Sequence, residues 1–169
     1  MKYVLAILLI GTISSCKKPN NGTGLPDPTQ SGYNSLACLV NGIPHIYNGK
    51  STLFYPAGVR FEEASNRCEI FAAIRDTYND DIDMFIHTSK PVVGVKYYLA
   101  ESIGGSFISE YILTSSEDHP FYSDTTLSYL IFSKLQDSIV AGTFEFHGIN
   151  DSNQRVDITK GFFDINQRL

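Results

Sequence analysis

Histidines, carboxylates, serines and cysteines are the residues of this chain that could do chemistry, and their spacing limits what kind. Four histidines, His45, His87, His119 and His147, are scattered along the sequence. A zinc site needs three or four converging ligands, often as pairs at short fixed spacing, and these histidines form no such pair. Glu145 and His147 share one face of an alternating run, as do Asp83 and His87. Each couple sets a carboxylate beside an imidazole, and a solvated surface pair is the expected reading rather than a base with its orienter. Asn79-Asp80-Asp81-Ile82-Asp83 gathers oxygen ligands but lacks the Gly and the distant Glu of a calcium loop. Its Asn and Asp are expected of a turn. No Gly-x-Ser-x-Gly elbow, phosphate-cradling loop or dinucleotide fingerprint is present, so the sequence calls for no cofactor. A paired-carboxylate hydrolase stays open as the enzymatic alternative, because its two acids need not be neighbours in sequence. Without Trp, its sugar-stacking platform would have to be built from Tyr.

The cysteines say more. Met1–Ser15 has a basic start at Lys2, an apolar run from Val4 to Ile10, then small polar residues. That is the three-part design of a secretory leader, and the apolar run is too short for a bilayer-spanning helix of about 20 residues. It ends Ile13-Ser14-Ser15-Cys16, which resembles the lipobox of bacterial lipoproteins. A thiolate is nucleophilic enough to take a diacylglyceryl group, and small neighbours let a peptidase close on the bond before it. Cys16 is therefore the expected lipidation site. Acyl chains contribute about 0.8 kcal/mol per buried CH₂, so two or three of them make release negligible. With Cys16 consumed, Cys38 and Cys68 remain as a candidate disulfide in a compartment that permits one. Two buried free thiols are the slightly favoured alternative.

Residues 16–32 then read as the lipidated cysteine and a flexible tether, rich in Pro, Asn, Gly and Thr. Lys17 stands where an aspartate would signal retention in the inner membrane, so an outer-membrane address is favoured, lipid-anchored and facing the periplasm. The acidic run that sends some lipoproteins to the cell surface is missing.

Residues 33–169 make a single domain. The chain of 169 residues is 43% hydrophobic and 18% charged, enough to bury one core. Its net charge of −5 and the lack of a basic stripe exclude a nucleic-acid footprint. Eleven Phe and ten Tyr favour pleated surfaces. Apolar residues alternate with period two at Cys68-Ile70-Ala72-Ile74, at Ile82-Met84-Ile86 and at Val140-Gly142-Phe144-Phe146. Turn signals such as Asn41-Gly42, Asn48-Gly49, Gln136-Asp137 and Asn150-Asp151-Ser152-Asn153 separate the runs. The expectation is an all-β domain, a single antiparallel β-sandwich or flattened barrel. Val156 and Ile158 hold one parity while Phe163 and Ile165 hold the other, which predicts a bulge at Lys160-Gly161.

Several segments then resemble a family of small uncharacterised β-domain lipoproteins of Bacteroidota. They are Gly94-Val95-Lys96-Tyr97-Tyr98-Leu99, Leu130 to Leu135, Gly142-Thr143-Phe144-Glu145-Phe146 and Val156 to Ile165. The resemblance covers about Leu36 to Ile165, and it implies a fold and an address but no activity.

Glu117 to Thr126 is polar with aromatic insertions, and His119, Phe121 and Tyr122 mark it as the candidate ligand loop. The function expected is a non-enzymatic binding module, with a protein or small-molecule ligand of unknown identity. A purely structural envelope protein is the third reading.

Overall fold

The computed structural model describes residues 22–49, 58–64, 67–74, 80–86, 88, 90–99, 110–113, 121–123 and 127–167. All regular structure in them is β. The strands are β1 (Ser35–Val40), β2 (Ile43–Asn48), β3 (Gly58–Ala64), β4 (Arg67–Ile74), β5 (Asp80–Ile86), β6 (Lys96–Tyr98), β7 (Glu110–Leu113), β8 (Phe121–Ser123), β9 (Tyr129–Gln136), β10 (Ile139–Ile149) and β11 (Arg155–Asn166).

Two tight hairpins follow from turn chemistry. Asn41 and Gly42 both take positive φ, 49° and 83°, the geometry of a two-residue type I′ turn, and they join β1 to β2. Asp137 and Ser138 do the same between β9 and β10, at 56° and 64°. Asn150 shapes the β10–β11 connection with its side chain, whose Oδ1 accepts from the backbone N–H of Ser152 at 3.1 Å and of Gln154 at 2.9 Å.

Every ladder is antiparallel, in the order β2-β1-β11-β10-β8-β7-β5-β4-β3. β10 is the hinge of the arrangement. Its first half pairs with β9, which carries β6, while Gly148 and Ile149 pair with β8. One continuous sheet thus turns over on itself. β3, at one end of the order, approaches β2 and β11 without a ladder to either, so this is no closed barrel. The result is a flattened, sandwich-like all-β body, as the alternation and turn spacing predict.

The alternating runs supply the core. Ile70, Ala72, Ile82, Met84, Leu36, Phe132, Phe144, Phe146 and Phe163 all turn inward and are buried in one cluster. The strands that supply these residues present them on one face, because successive side chains point to opposite sides of a pleat.

The bulge expected at Lys160-Gly161 is present. Phe144 pairs with Gly161 and Phe146 with Ile158, so two steps along β10 oppose three along β11, and β1 registers the same shift. Lys160 takes the left-handed conformation at φ 52°. Gly161 itself is required for a different reason: a β-carbon there would stand 2.6 Å from the Phe144 ring. The extra residue turns Val156, Ile158, Phe163 and Ile165 all to the core and leaves Phe162 and Asp164 on the outer face.

That outer face is covered by residues which composition alone assigns to the tether. Leu25 is buried in a second small cluster with Ala37 and Phe162, against which Leu39 packs. The Asp164 carboxylate, fully buried, accepts hydrogen bonds from the Thr29 hydroxyl, from Ser31 N–H at 3.0 Å and from Gly32 N–H at 2.7 Å. Gln30 donates to Ser133 at 3.1 Å and accepts from Lys134 Nζ at 3.1 Å. Pro, Gly and Thr in this stretch do not leave it free. They give an extended segment whose backbone donors a single buried acid satisfies.

Candidate functional site

Of the residues singled out from sequence, Cys16 and His119 lie outside the described residues, and so does His87. Phe121 and Tyr122 belong to strand β8 rather than to a loop. Phe121 packs against the main core, and its Cβ lies 3.0 Å from where a β-carbon on Gly148 would stand, so a packing role accounts for it.

Cys38 and Cys68 are both buried as thiols, and the candidate bridge between them is not formed. Cys38 sits on β1 and Cys68 on β4, strands that share no ladder, and the Cys68 thiol donates to the Thr88 carbonyl at 3.0 Å. Among the described residues no group of three or more His, Cys, Asp and Glu side chains is placed to hold a metal ion. His45 is buried beside Cys38 in the β1–β2 pairing.

Glu145 and His147 share the outer face of β10 but take separate partners. His147 Nδ1 lies 2.7 Å from Asp157 Oδ1, its cross-strand neighbour on β11. Glu145 accepts from the Tyr129 hydroxyl, and the Tyr129 ring carries Lys96 Nζ 4.0 Å above its centroid. Burial, then the Glu145 charge and hydrogen bond, push the Tyr129 phenol up. Strand register sets up these pairs, since Tyr129 faces Glu145 and His147 faces Asp157 directly. With solvent on one side, they act as surface electrostatics.

A small hollow of about 80 Å³ borders His147 and Asp157, and a roomier concave feature lies at the opposite end of β10, around the Asp137–Ser138 turn. It is a cavity of about 460 Å³, within the range of small-molecule sites. The β9–β10 hairpin supplies Leu135, Gln136, Ser138, Ile139 and Val140. Phe61 comes from β3, Lys90 and Pro91 from the segment before β6, and Gln167 from beyond β11.

Each wall is held in place. Phe61 meets Phe132 edge to face with ring centroids 6.1 Å apart, and Phe132 meets Tyr97 and Phe163 the same way at 6.0 and 5.9 Å. The segment carrying Lys90 and Pro91 is tied down by Gly94 N–H to the Phe132 carbonyl at 2.9 Å and by Val92 N–H to the Tyr97 hydroxyl at 2.8 Å. Gln167 N–H donates to the Ser138 carbonyl at 2.7 Å.

Chemically the lining is an apolar floor of Phe61, Pro91, Leu135, Ile139 and Val140 with two amides, a hydroxyl and one cation. None of the described lining residues is an acid. The paired carboxylates that a hydrolase of the glycosidase type would need are therefore not among them. Next to Pro91, Val92, Val93 and Val95 are exposed, at 56%, 50% and 42%.

Sequence reasoning did not single out this cavity, because its walls are drawn from residues 61 to 167 and meet only on folding. One signal was available: Pro91-Val92-Val93-Gly94-Val95 is an apolar run broken by Pro and Gly, which neither alternates nor belongs to a strand interior. No family model, curated protein or solved structure matches the chain.

Proposed function

We propose that this protein is a lipid-anchored, extracytoplasmic binding module of the outer membrane, facing the periplasm and related to the small β-domain lipoproteins that its segments resemble. Its non-enzymatic role is to hold a small amphipathic ligand at the end of the sandwich. The cavity carries this reading: five apolar residues back a lining whose accessible surface is mostly polar, with Lys90 as the cation among the described lining residues. That favours a small ligand with an aliphatic or aromatic part and an anionic head. Lys90 is the group to meet that head. The leader and Cys16 support the address.

A medium-chain carboxylate is the direct probe. Titrating decanoate into ¹⁵N-labelled protein should shift the amides of Leu135, Ile139 and Gln167, with decanol weaker and decylamine weakest. Leu135→Trp should abolish the shifts by filling the space. Shifts that survive Leu135→Trp, or none at all, would remove the ligand reading. Mass spectrometry of the native chain tests the anchor separately, by lipid on Cys16. A protein partner is the second reading, favoured by the exposed valines beside the mouth of the cavity.

A further inference from the structure

Anchoring by a docked tether constrains how the domain can stand on a membrane. The segment from Gly24 to Gly32 is held along the outer face of the sheet at known levels of the strand register. At its start, a β-carbon on Gly24 would stand 3.0 Å from the Pro44 ring. Pro44 is level with Leu39, and Leu39 with Thr159, close to the Asn41-Gly42 turn. At its far end the segment reaches Asp164 and Asn166, level with Ala141 and Ile139 beside the cavity. The two levels are about 20 Å apart, seven residues of β11 less the bulge.

Only Lys17 to Asn21 separate Cys16 from Gly22. Six Cα steps span at most about 20 Å. While Leu25 and the Asp164 contacts hold, the acyl chains stay within that reach of Gly22. The cavity end lies at the limit of that reach, whereas the surface nearest the start of the docked segment is the Asn41-Gly42 turn and the edge of β2, where Gly24 meets Pro44. Ile43 and Ile46 are exposed there, at 56% and 37%, and Asn41 to Gly49 contains no charged residue. Asp151 and Asp157 lie at the same end on the neighbouring β10–β11 hairpin and are exposed. Asp157 exchanges hydrogen bonds with Asn41 at 2.8 and 3.0 Å, so the acids border the turn itself. Their repulsion by acidic headgroups tilts the contact away from them toward Ile43 and Ile46 on the β2 edge.

We infer that the edge of β2 around Ile43 and Ile46 rests on the lipid surface, and that the cavity consequently opens away from it. This rests on the lipid-anchor reading above. The docked tether acts as a bracket: it converts a flexible attachment into a defined orientation, with the cavity end and its exposed valines presented to the aqueous space.

The test uses the full lipidated chain in vesicles of phosphatidylethanolamine and phosphatidylglycerol containing lipids with nitroxide headgroups. A small fluorophore is placed at Ile43→Cys or at Gln136→Cys, the native Cys38 and Cys68 being buried. Quenching should be roughly threefold or more stronger at position 43 than at 136, given a separation along the strands of about 20 Å. Leu25→Asp, which detaches the bracket and leaves the main core untouched, should bring the two positions together. Equal quenching before that substitution, or stronger quenching at 136, overturns the orientation. If the protein does not float with the vesicles and Cys16 carries no lipid, the anchor reading itself fails and the orientation falls with it.

Discussion

Gly161 lies under the ring of Phe144, its register partner on the adjacent strand, so closely that a β-carbon would approach two ring carbons to 2.6 Å and the Phe144 carbonyl oxygen to 2.7 Å. This contact sits at the bulge that sets which face of β11 is buried. Its neighbour Lys160 carries the positive φ. The pair therefore divides two tasks, one residue absorbing the backbone turn and the other making room for the aromatic ring.

Gly161→Ala is accordingly expected to destabilise the domain by about 1–3 kcal/mol through overpacking, read as a lower urea midpoint at unchanged slope. Lys160→Gly is expected to be neutral or mildly stabilising, since it relieves a left-handed side-chain conformation worth about 1 kcal/mol. A stable Gly161→Ala variant would mean that the Phe144 ring has somewhere else to go.

Asp164→Ala removes the acceptor shared by Thr29, Ser31 and Gly32. The expected loss is about 2 kcal/mol, the scale of hydrogen bonds to a charged group, and residues 22–33 should become sensitive to limited proteolysis while the strands stay protected. Uniform sensitivity across the whole domain would show that the clamp is part of the global fold rather than a docked strap.

Acidification should open the same clamp. Burial alone would raise the Asp164 pKa, but the hydrogen bonds from Thr29, Gly32, Ser31 and Tyr33 outweigh it and hold the carboxyl below its ordinary value. A group whose pKa is depressed on folding contributes stability above its unfolded pKa and loses it as the pH falls through the folded one. The docked segment is therefore stable at neutral pH and should release only below about pH 4, the ordinary Asp value. Monitoring the Gly32 amide resonance from pH 6 downward checks the sign; release near pH 6 would contradict it.

The thiols give a simple chemical check. In the fragment from Asn20 onward, Cys38 and Cys68 should both be silent to Ellman's reagent in the native state and both react after denaturation without reductant. Silence after denaturation would mean that they are bridged. Reaction before it would mean that the strands around the Cys68–Thr88 hydrogen bond open readily.

Local rules of sequence already determined much of this protein. Alternation with period two assigned the inward faces of β4, β5 and β10, Asn41-Gly42 announced its hairpin, and the parity conflict between Ile158 and Phe163 located the bulge, because each of these depends only on neighbouring residues and pleat geometry. Three things were decided by tertiary structure alone. Whether Pro-, Gly- and Thr-rich residues hang free depends on a buried acid some 130 positions away, a long-range contact that composition does not encode. The partners of His147 and Glu145 follow from which strands flank β10. The cavity exists only where hairpin, bend and chain end converge, because concave surfaces are made by elements meeting rather than by any one of them.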